Sequence, residues 1–284
     1  MGDRSGVQIL PTPNDAPRAH IEVADHPFIL EYPIKESDFW TITNHRPLQE
    51  HRKLMLLLNV LLAERTSLQP RRTEHFWASV PCDDDHPEIK WVQQSFFAKL
   101  GKAVIDELSP PTRERLEEVK PEEYQAKVGH DGKGLRVPTD LDQSLCYYTA
   151  LLAGDRVKFD RATFWMDMAS RQWNISVSAF FAVLVSAIES LTERGKLTQH
   201  EAPVATRRFK DFFDIYAPNA TLANQRKDMY SLRSGILHGS DLMQLDQDLA
   251  FGWNPPWWKE RELHAELWGL TRTALRNWLK NPPD

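Results

Sequence analysis

Two side chains suited to chemistry at a phosphate lie in the stretch Met229-Tyr-Ser-Leu-Arg-Ser-Gly-Ile-Leu-His-Gly239, where Arg233 precedes His238 with four residues between them. A guanidinium holds a phosphate through paired hydrogen bonds and offsets charge that grows on its oxygens. An imidazole, with its ordinary pKa near neutrality, removes or supplies a proton in the same pH range. Each residue also has a plainer reading. His238 just ahead of Gly239 suits the negative end of a helix dipole, and Arg233 suits a structural ion pair.

The stretch reads as a helix from about Leu222 to His238, with Asn219 or Thr221 as caps and Gly239 as its stop. Met229, Leu232 and Ile236 form its apolar stripe, and Arg233 beside them packs its stem while its guanidinium reaches outward. Five residues turn an ideal helix by about 140°, so Arg233 and His238 do not share a face. They meet at one ligand if both flank a cleft near the helix end, or if a second copy of the helix completes the site. Ser234 and His238 are four apart and lie on one stripe.

The elements around this helix read as helices from about Leu141 onward. Leu141 to Leu152 and Arg161 to Ala169 are short helices with a loop around Gly154 between them. Ser176 to Glu193 has the clearest stripe, Val177, Phe180, Phe181, Leu184, Ile188 and Leu191, with Asn174 or Ser176 as cap and Gly195 at its end. Val204 to Tyr216 gathers Phe209, Phe212, Phe213 and Tyr216 on one face, and Pro218 stops it. A closing helix from about Glu260 to Leu279 carries Leu263, Leu267, Leu270, Ala274 and Trp278 inward. Such helices pack as a bundle.

The first half is mixed. Residues 1 to about 25 read as an extended arm, Phe28 to Pro33 and Phe39 to Thr43 as strands, and Leu48 to Glu64 as a buried helix. Arg71 to Val80 reads as a turn entering a core strand, although Arg71, Arg72 and His75 could also touch nucleic acid. Trp91 to Leu108 reads as an amphipathic helix and Thr112 to Lys120 as a short charged one. The fold class expected is therefore mainly α: an α+β region over 1–138, then a helical bundle over 139–284.

Composition narrows the classes. The 284 residues are 41% hydrophobic and 26% charged, the balance of a folded soluble protein. The longest apolar run, Leu54 to Ala63, is broken by Asn59 and falls short of the ~20 residues of a membrane span. The first residues, Met1-Gly-Asp-Arg-Ser-Gly, carry no apolar leader core, and two cysteines, Cys82 and Cys146, make no disulfide scaffold. A reducing, bacterial cytoplasm is the expected setting. A net charge of -5 argues against broad duplex binding while leaving room for one phosphate in a cleft.

Other candidate motifs read more simply. Cys82-Asp-Asp-Asp-His86 between Pro81 and Pro87 is an acidic turn rather than a metal site, since consecutive residues do not converge on one ion. Val128-Gly-His-Asp-Gly-Lys-Gly134 lacks the Lys-Ser/Thr that opens a helix in a phosphate loop and reads as a surface loop. Trp257 and Trp258 beside Pro255-Pro256 are core fillers or an exposed lip. Neither a metal nor an organic cofactor is expected.

Tyr230-Ser-Leu-Arg-Ser-Gly-Ile-Leu-His-Gly239, late in an all-helical half and between a long apolar helix and a terminal amphipathic one, resembles the Arg-x4-6-His motif of HEPN domains, and most closely the Apea-like branch. The resemblance spans roughly residues 145 to 281 and includes the run Ala187-Ile-Glu-Ser-Leu191. It implies a metal-independent endoribonuclease in which two protomers bring their motif helices together across a dimer axis. The ribose 2'-OH then attacks the phosphodiester, leaving a 2',3'-cyclic phosphate and a 5'-OH.

In that frame His238 is the acid/base group, Arg233 the phosphate clamp, Ser234 and Tyr230 supporting residues, and Glu189 the partner that orients Arg233. Arg207, Arg208, Lys210, Arg226 and Lys227 form an RNA-facing rim, or else a solvated charged face, with Asp211, Asp214 and Asp228 among them. The resemblance also implies a role in anti-phage or toxin-like defence, with RNA and a second copy of the chain as partners. HEPN toxins paired with a nucleotidyltransferase antitoxin usually carry a tyrosine shortly after the motif histidine. Gly239-Ser-Asp241 stands there instead, so a protein antitoxin or regulator has no residue in its favour. The alternatives are a non-catalytic HEPN module for dimerisation or ligand binding, and, more remotely, a metal-dependent hydrolase built on Asp83 to His86.

Overall fold

A computed structural model of the chain describes residues 7–11, 28–32, 39–62, 75–81, 87–93, 116–126, 136–172, 175–192, 202–218, 225–247 and 255–283. These residues are mainly α-helical, and their strands form three two-stranded sheets. The chain divides into two compact units, residues 1–52 with 66–139, and residues 53–65 with 140–284. The boundary after Thr139 separates a mixed first unit from a helical second one, and 53–65 joins the helices although it precedes most of the mixed unit.

In the first unit β1 (Gln8–Pro11) pairs antiparallel with β2 (Phe28–Glu31), which begins where the aromatic run at Phe28 suggests a strand. The strand expected at Phe39 to Thr43 is absent. Helix α1 (Trp40–Leu61) occupies that stretch, with Pro47 inside it. Extending a formed helix by one residue costs far less than starting one. Phe39 and Trp40 are 68% and 78% exposed, so no strand face buries them among the described residues. β3 (His75–Pro81) and β4 (Pro87–Gln93) form a hairpin in which Trp77 stands opposite Trp91. Trp91 to Gln93 therefore belongs to a strand and not to the expected helix, because β-branched and aromatic residues with a paired neighbour favour the pleated ladder.

β5 (Glu117–Val119) pairs in parallel with β6 (Arg136–Pro138) and buries Val119 and Val137, which replaces the helical end expected at Glu117 to Lys120. A helix does start one turn later, as α2 (Pro121–Ala126), with Pro121 at its first position. Residues 1–6, 12–27, 94–115 and the runs Cys82 to His86 and Val128 to Gly134 lie outside the described residues, so the expected arm, most of the Trp91 helix and both loops go undescribed.

The helical unit centres on α5 (Val177–Leu191), which packs against α4 (Ala153–Gln172), α6 (Ala202–Tyr216), α7 (Gln225–His238) and α9 (Pro255–Lys280). Phe180, Phe181, Leu184, Ile188 and Leu191 of its stripe are buried, and each such side chain contributes about 1.5–3 kcal/mol of burial. α3 (Leu141–Ala150) is followed directly by α4, which starts at Ala153 and takes Gly154 into its first turn, so the loop expected there is only Leu151–Leu152. The extra turns of α4 are held by the stripe Phe159, Ala162, Thr163, Met166, Ala169 and Ser170, all buried. Phe159 stacks on Trp278 of α9 with ring centres 5.7 Å apart.

The end of α1 is fastened into this unit by polar groups as well as by Leu57, Leu58, Val60 and Leu61. Asn59 donates to Asp167 of α4 at 3.1 Å, and Asp167 also accepts from Arg171 at 2.9 Å. Arg272 of α9 donates to the Leu62 carbonyl. No described helix is long and apolar enough to cross a membrane.

Candidate functional site

The buried stripe of α7 differs from the expected one. Arg226, Met229 and Tyr230 are buried, and Arg233 follows them on the same line, whereas Leu232 and Ile236 are only half-buried. Positions three and four apart stack on one helix face, so both arginines point toward neighbouring helices. Arg233 does not reach outward as expected. Its side chain is 19% exposed and its Nη2 donates to Glu189 Oε2 of α5 at 2.5 Å. A carboxylate inside the bundle draws the guanidinium in, because an unpaired charge there is costly.

Glu189, Tyr230 and Arg233 form one cluster. The Tyr230 hydroxyl donates to Glu189 Oε1 at 3.0 Å, leaving Oε2 to the guanidinium. The Arg233 guanidinium carbon lies 5.7 Å from the Tyr230 ring centre, and Phe209 of α6 packs at 5.3 Å from the same ring. The Arg233 Nε is buried without a hydrogen-bond partner among the described residues. One N–H of the guanidinium is thus uncommitted while its charge is already matched by Glu189.

His238 lies one and a half turns further on, exposed at the last position of α7. The helix ends there in a Schellman turn: Gly239 adopts φ +72°, Gly239 N donates to Ile236 O at 3.1 Å, and Ser240 N to Gly235 O at 3.0 Å. Only glycine takes that φ at no steric cost, which explains Gly239 without reference to chemistry. The His238 imidazole has no partner among the described residues. Ser234 is half-buried. Arg233 and His238 are separated by about 140° and roughly 7.5 Å of helix rise, so within one copy they serve different sides of the helix end.

The expected rim separates into different residues. Arg207 is exposed and lies 3.7 Å from the exposed Asp211, while Arg208 and Lys210 are half-buried. The Lys227 side chain lies outside the described set. Arg226 is a correction: it is 1% exposed, paired with Asp214, donates to the Ala217 carbonyl at 3.2 Å and sits over the Phe213 ring. It anchors α7 to α6 and cannot face a nucleic acid.

The segment after the motif is fastened in a way that no sequence pattern marks. Asp246 of the short helix α8 (Gln244–Gln247) caps α5 from about seventy residues away in sequence. It accepts from Ser178 N at 2.6 Å, Ser176 Oγ at 2.9 Å and Val177 N at 3.0 Å. Burial pushes its carboxyl pKa up, but these hydrogen bonds outweigh that and leave it lowered. Ser176 also caps its own helix, accepting from Ala179 N at 3.0 Å. Met243 N donates to Ser178 Oγ at 2.8 Å, and the Met243 side chain is buried. His264 of α9 packs on Phe180 with ring centres 4.1 Å apart. Burial lowers its pKa to about 4, against the opposing pull of Asp246. No local pattern marks either residue, since each acts through a partner far along the chain.

No family model, curated protein or solved structure matches this chain.

Proposed function

We propose that the chain is a metal-independent endoribonuclease of HEPN type, working as a homodimer, with His238 as acid/base group and Arg233 as phosphate clamp. The observation that carries the reading is the Glu189–Tyr230–Arg233 cluster: a carboxylate on the apolar helix α5 orients a motif arginine on α7, while the motif histidine stays exposed at the helix end. RNA brings its own nucleophile, the 2'-OH. An imidazole takes its proton or protonates the leaving 5'-oxygen. A guanidinium already held by Glu189 is oriented before the phosphate arrives, which lowers the entropy cost of clamping it. Within one copy the two groups diverge, so a second α7 across a dimer axis supplies the complementary half. A cytoplasmic role in bacterial anti-phage or toxin-like defence rests on the motif resemblance alone.

A second reading has its own observation. Arg233 is mostly buried and its charge is neutralised by Glu189, as in a structural ion pair, and a non-catalytic dimerisation or ligand-binding module would need nothing more. Incubating purified full-length protein with RNA in EDTA separates the two. Cleavage that survives the chelator and disappears in both Arg233→Ala and His238→Ala supports the nuclease. Intact RNA under every condition, with folded protein, supports the module.

A further inference from the structure

The turn after His238 places one more functional group on the same helix face. A Cβ built on Gly235 would lie 1.8 Å from Asp241 Oδ2, 2.7 Å from its Cγ and 3.0 Å from its Cβ. The carboxylate therefore rests on the helix surface in the space a side chain would fill, and position 235 is glycine because Asp241 lies there. The backbone holds it in place: Asp241 N and Ser240 N both donate to Gly235 O, at 3.2 and 3.0 Å, and Ser240 Oγ donates to the same oxygen at 3.2 Å.

Closing the turn does not explain the carboxylate. The main-chain N–H of Asp241 makes the turn contact, and the side chain accepts no hydrogen bond among the described residues. The location is also unfavourable by itself. A helix C-terminus carries negative partial charge, and glycine inside a helix weakens it relative to alanine. A nearby cation or N–H donor offsets the electrostatic cost. Arg233 does not serve, since it is committed to Glu189. His238 is three residues past Gly235, and positions three apart on a helix have Cβ atoms about 5–6 Å from each other. Helical side chains lean back toward the preceding turn, and that turn is the one that carries the Asp241 carboxylate on Gly235. Both groups are exposed, and neither has another partner among the described residues.

We propose that Asp241 is a positioning residue for His238: its carboxylate accepts a hydrogen bond from one imidazole nitrogen and so directs the other nitrogen at the substrate. The inference rests on the nuclease reading for its catalytic meaning, while the contact itself does not. Forming the contact in the free protein requires the His238 side chain to turn about its staggered rotamers toward Gly235.

The test uses the full-length protein with Asp241→Asn and Gly235→Ala, read by steady-state RNA cleavage and by ring ¹⁵N spectra of His238, assigned by comparison with His238→Gln. Asp241→Asn is expected to lower kcat about 10- to 100-fold with KM changed less than about twofold, by analogy with the loss of the outer partner that orients a metal-binding histidine. Gly235→Ala should do the same, because its methyl occupies the carboxylate's place, and its melting temperature should hold or rise because alanine favours a helix. The ring spectrum should report one fixed tautomer in the wild type and a mixture in Asp241→Asn. Wild-type kcat in both variants overturns the proposal while leaving the nuclease reading intact. If the wild type cuts no RNA, the nuclease reading fails by itself. The ring spectra then decide the contact: a tautomer unchanged by Asp241→Asn overturns it, and a changed one upholds it.

Discussion

Arg226 and Arg233 lie two turns apart on the same stripe of α7, and each meets a carboxylate from a neighbouring helix. They differ in what surrounds the pair. Arg226 is 1% exposed and supported by a main-chain carbonyl and a ring face, whereas its partner Asp214 has a side chain 57% exposed. Arg233 and Glu189 are equally exposed, at 19% each, and Tyr230 shares the carboxylate. The first arginine is sealed and fastens α7 to α6. The second is held by one carboxylate oxygen, retains an uncommitted N–H, and lies toward the end of the helix where His238 is open. One chemical pairing thus gives an anchor at one end of α7 and an oriented, partly accessible cation toward the other.

The largest expected effect comes from breaking the anchor on its exposed side. Asp214→Ala removes the carboxylate that neutralises a buried guanidinium, and thermal or urea unfolding should show a loss of up to about 3–5 kcal/mol, the range for breaking a buried pair at one partner. Arg226→Met should cost less than half as much, because the carboxylate left behind already reaches water. Equal losses would mean that Arg226 is less sealed than its exposure indicates.

Next in size is the acid limb of stability. His264 accepts a proton near its ordinary value of 6.5 when unfolded but only near 4 in the fold, so protons favour the unfolded chain. Stability should be full above about pH 6.5, fall by at most about 3 kcal/mol as pH drops to about 4, less where water screens the imidazole, and lose nothing more through His264 below that. Asp246, whose carboxyl pKa is lowered in the fold, adds a further loss below its ordinary value of 3.8. Urea unfolding across this range checks both, and His264→Asn should flatten the upper part of the curve.

Glu189→Gln keeps the shape of the cluster and removes its charge. It should cost about 1.5–3 kcal/mol, the range for a hydrogen bond to a charged group, and less than Asp214→Ala because Arg233 retains some access to water. Tyr230→Phe removes one donor to the same carboxylate and should cost about 1.5 kcal/mol in the same unfolding assay, the low end of that range, because the Arg233 pair remains. If Tyr230→Phe proved the costlier of the two, the ordering of the cluster around the charge pair would be wrong.

The helical half was largely readable from its sequence, because a stripe such as Phe180, Phe181, Leu184, Ile188 and Leu191 repeats with helical period over several turns and needs no distant partner to declare itself. The mixed half was less so. Trp91 to Gln93 and Glu117 to Val119 are strands only because β3 and β6 pair with them, and Phe39 to Thr43 joined a helix that the alternation of five residues had hidden. At the site, the grouping of Glu189 with Arg233 came from the motif resemblance and not from any local pattern, and the inward aim of Arg233 depended on which face of α7 met α5. Asp246 at the start of α5 and Asp241 on Gly235 had no signal at all, since a carboxylate's role is set by the N–H groups or space that the fold brings to it.

The end chemistry of RNA incubated with the protein in EDTA, compared among the wild type, Arg233→Ala and Arg226→Met, decides whether Arg233 is the working cation and Arg226 the anchor. Fragments ending in 2',3'-cyclic phosphate and 5'-OH are expected from the wild type and from folded Arg226→Met, and none from Arg233→Ala. Undiminished cleavage by Arg233→Ala, or loss of cleavage by Arg226→Met that is still folded, would overturn that division of roles.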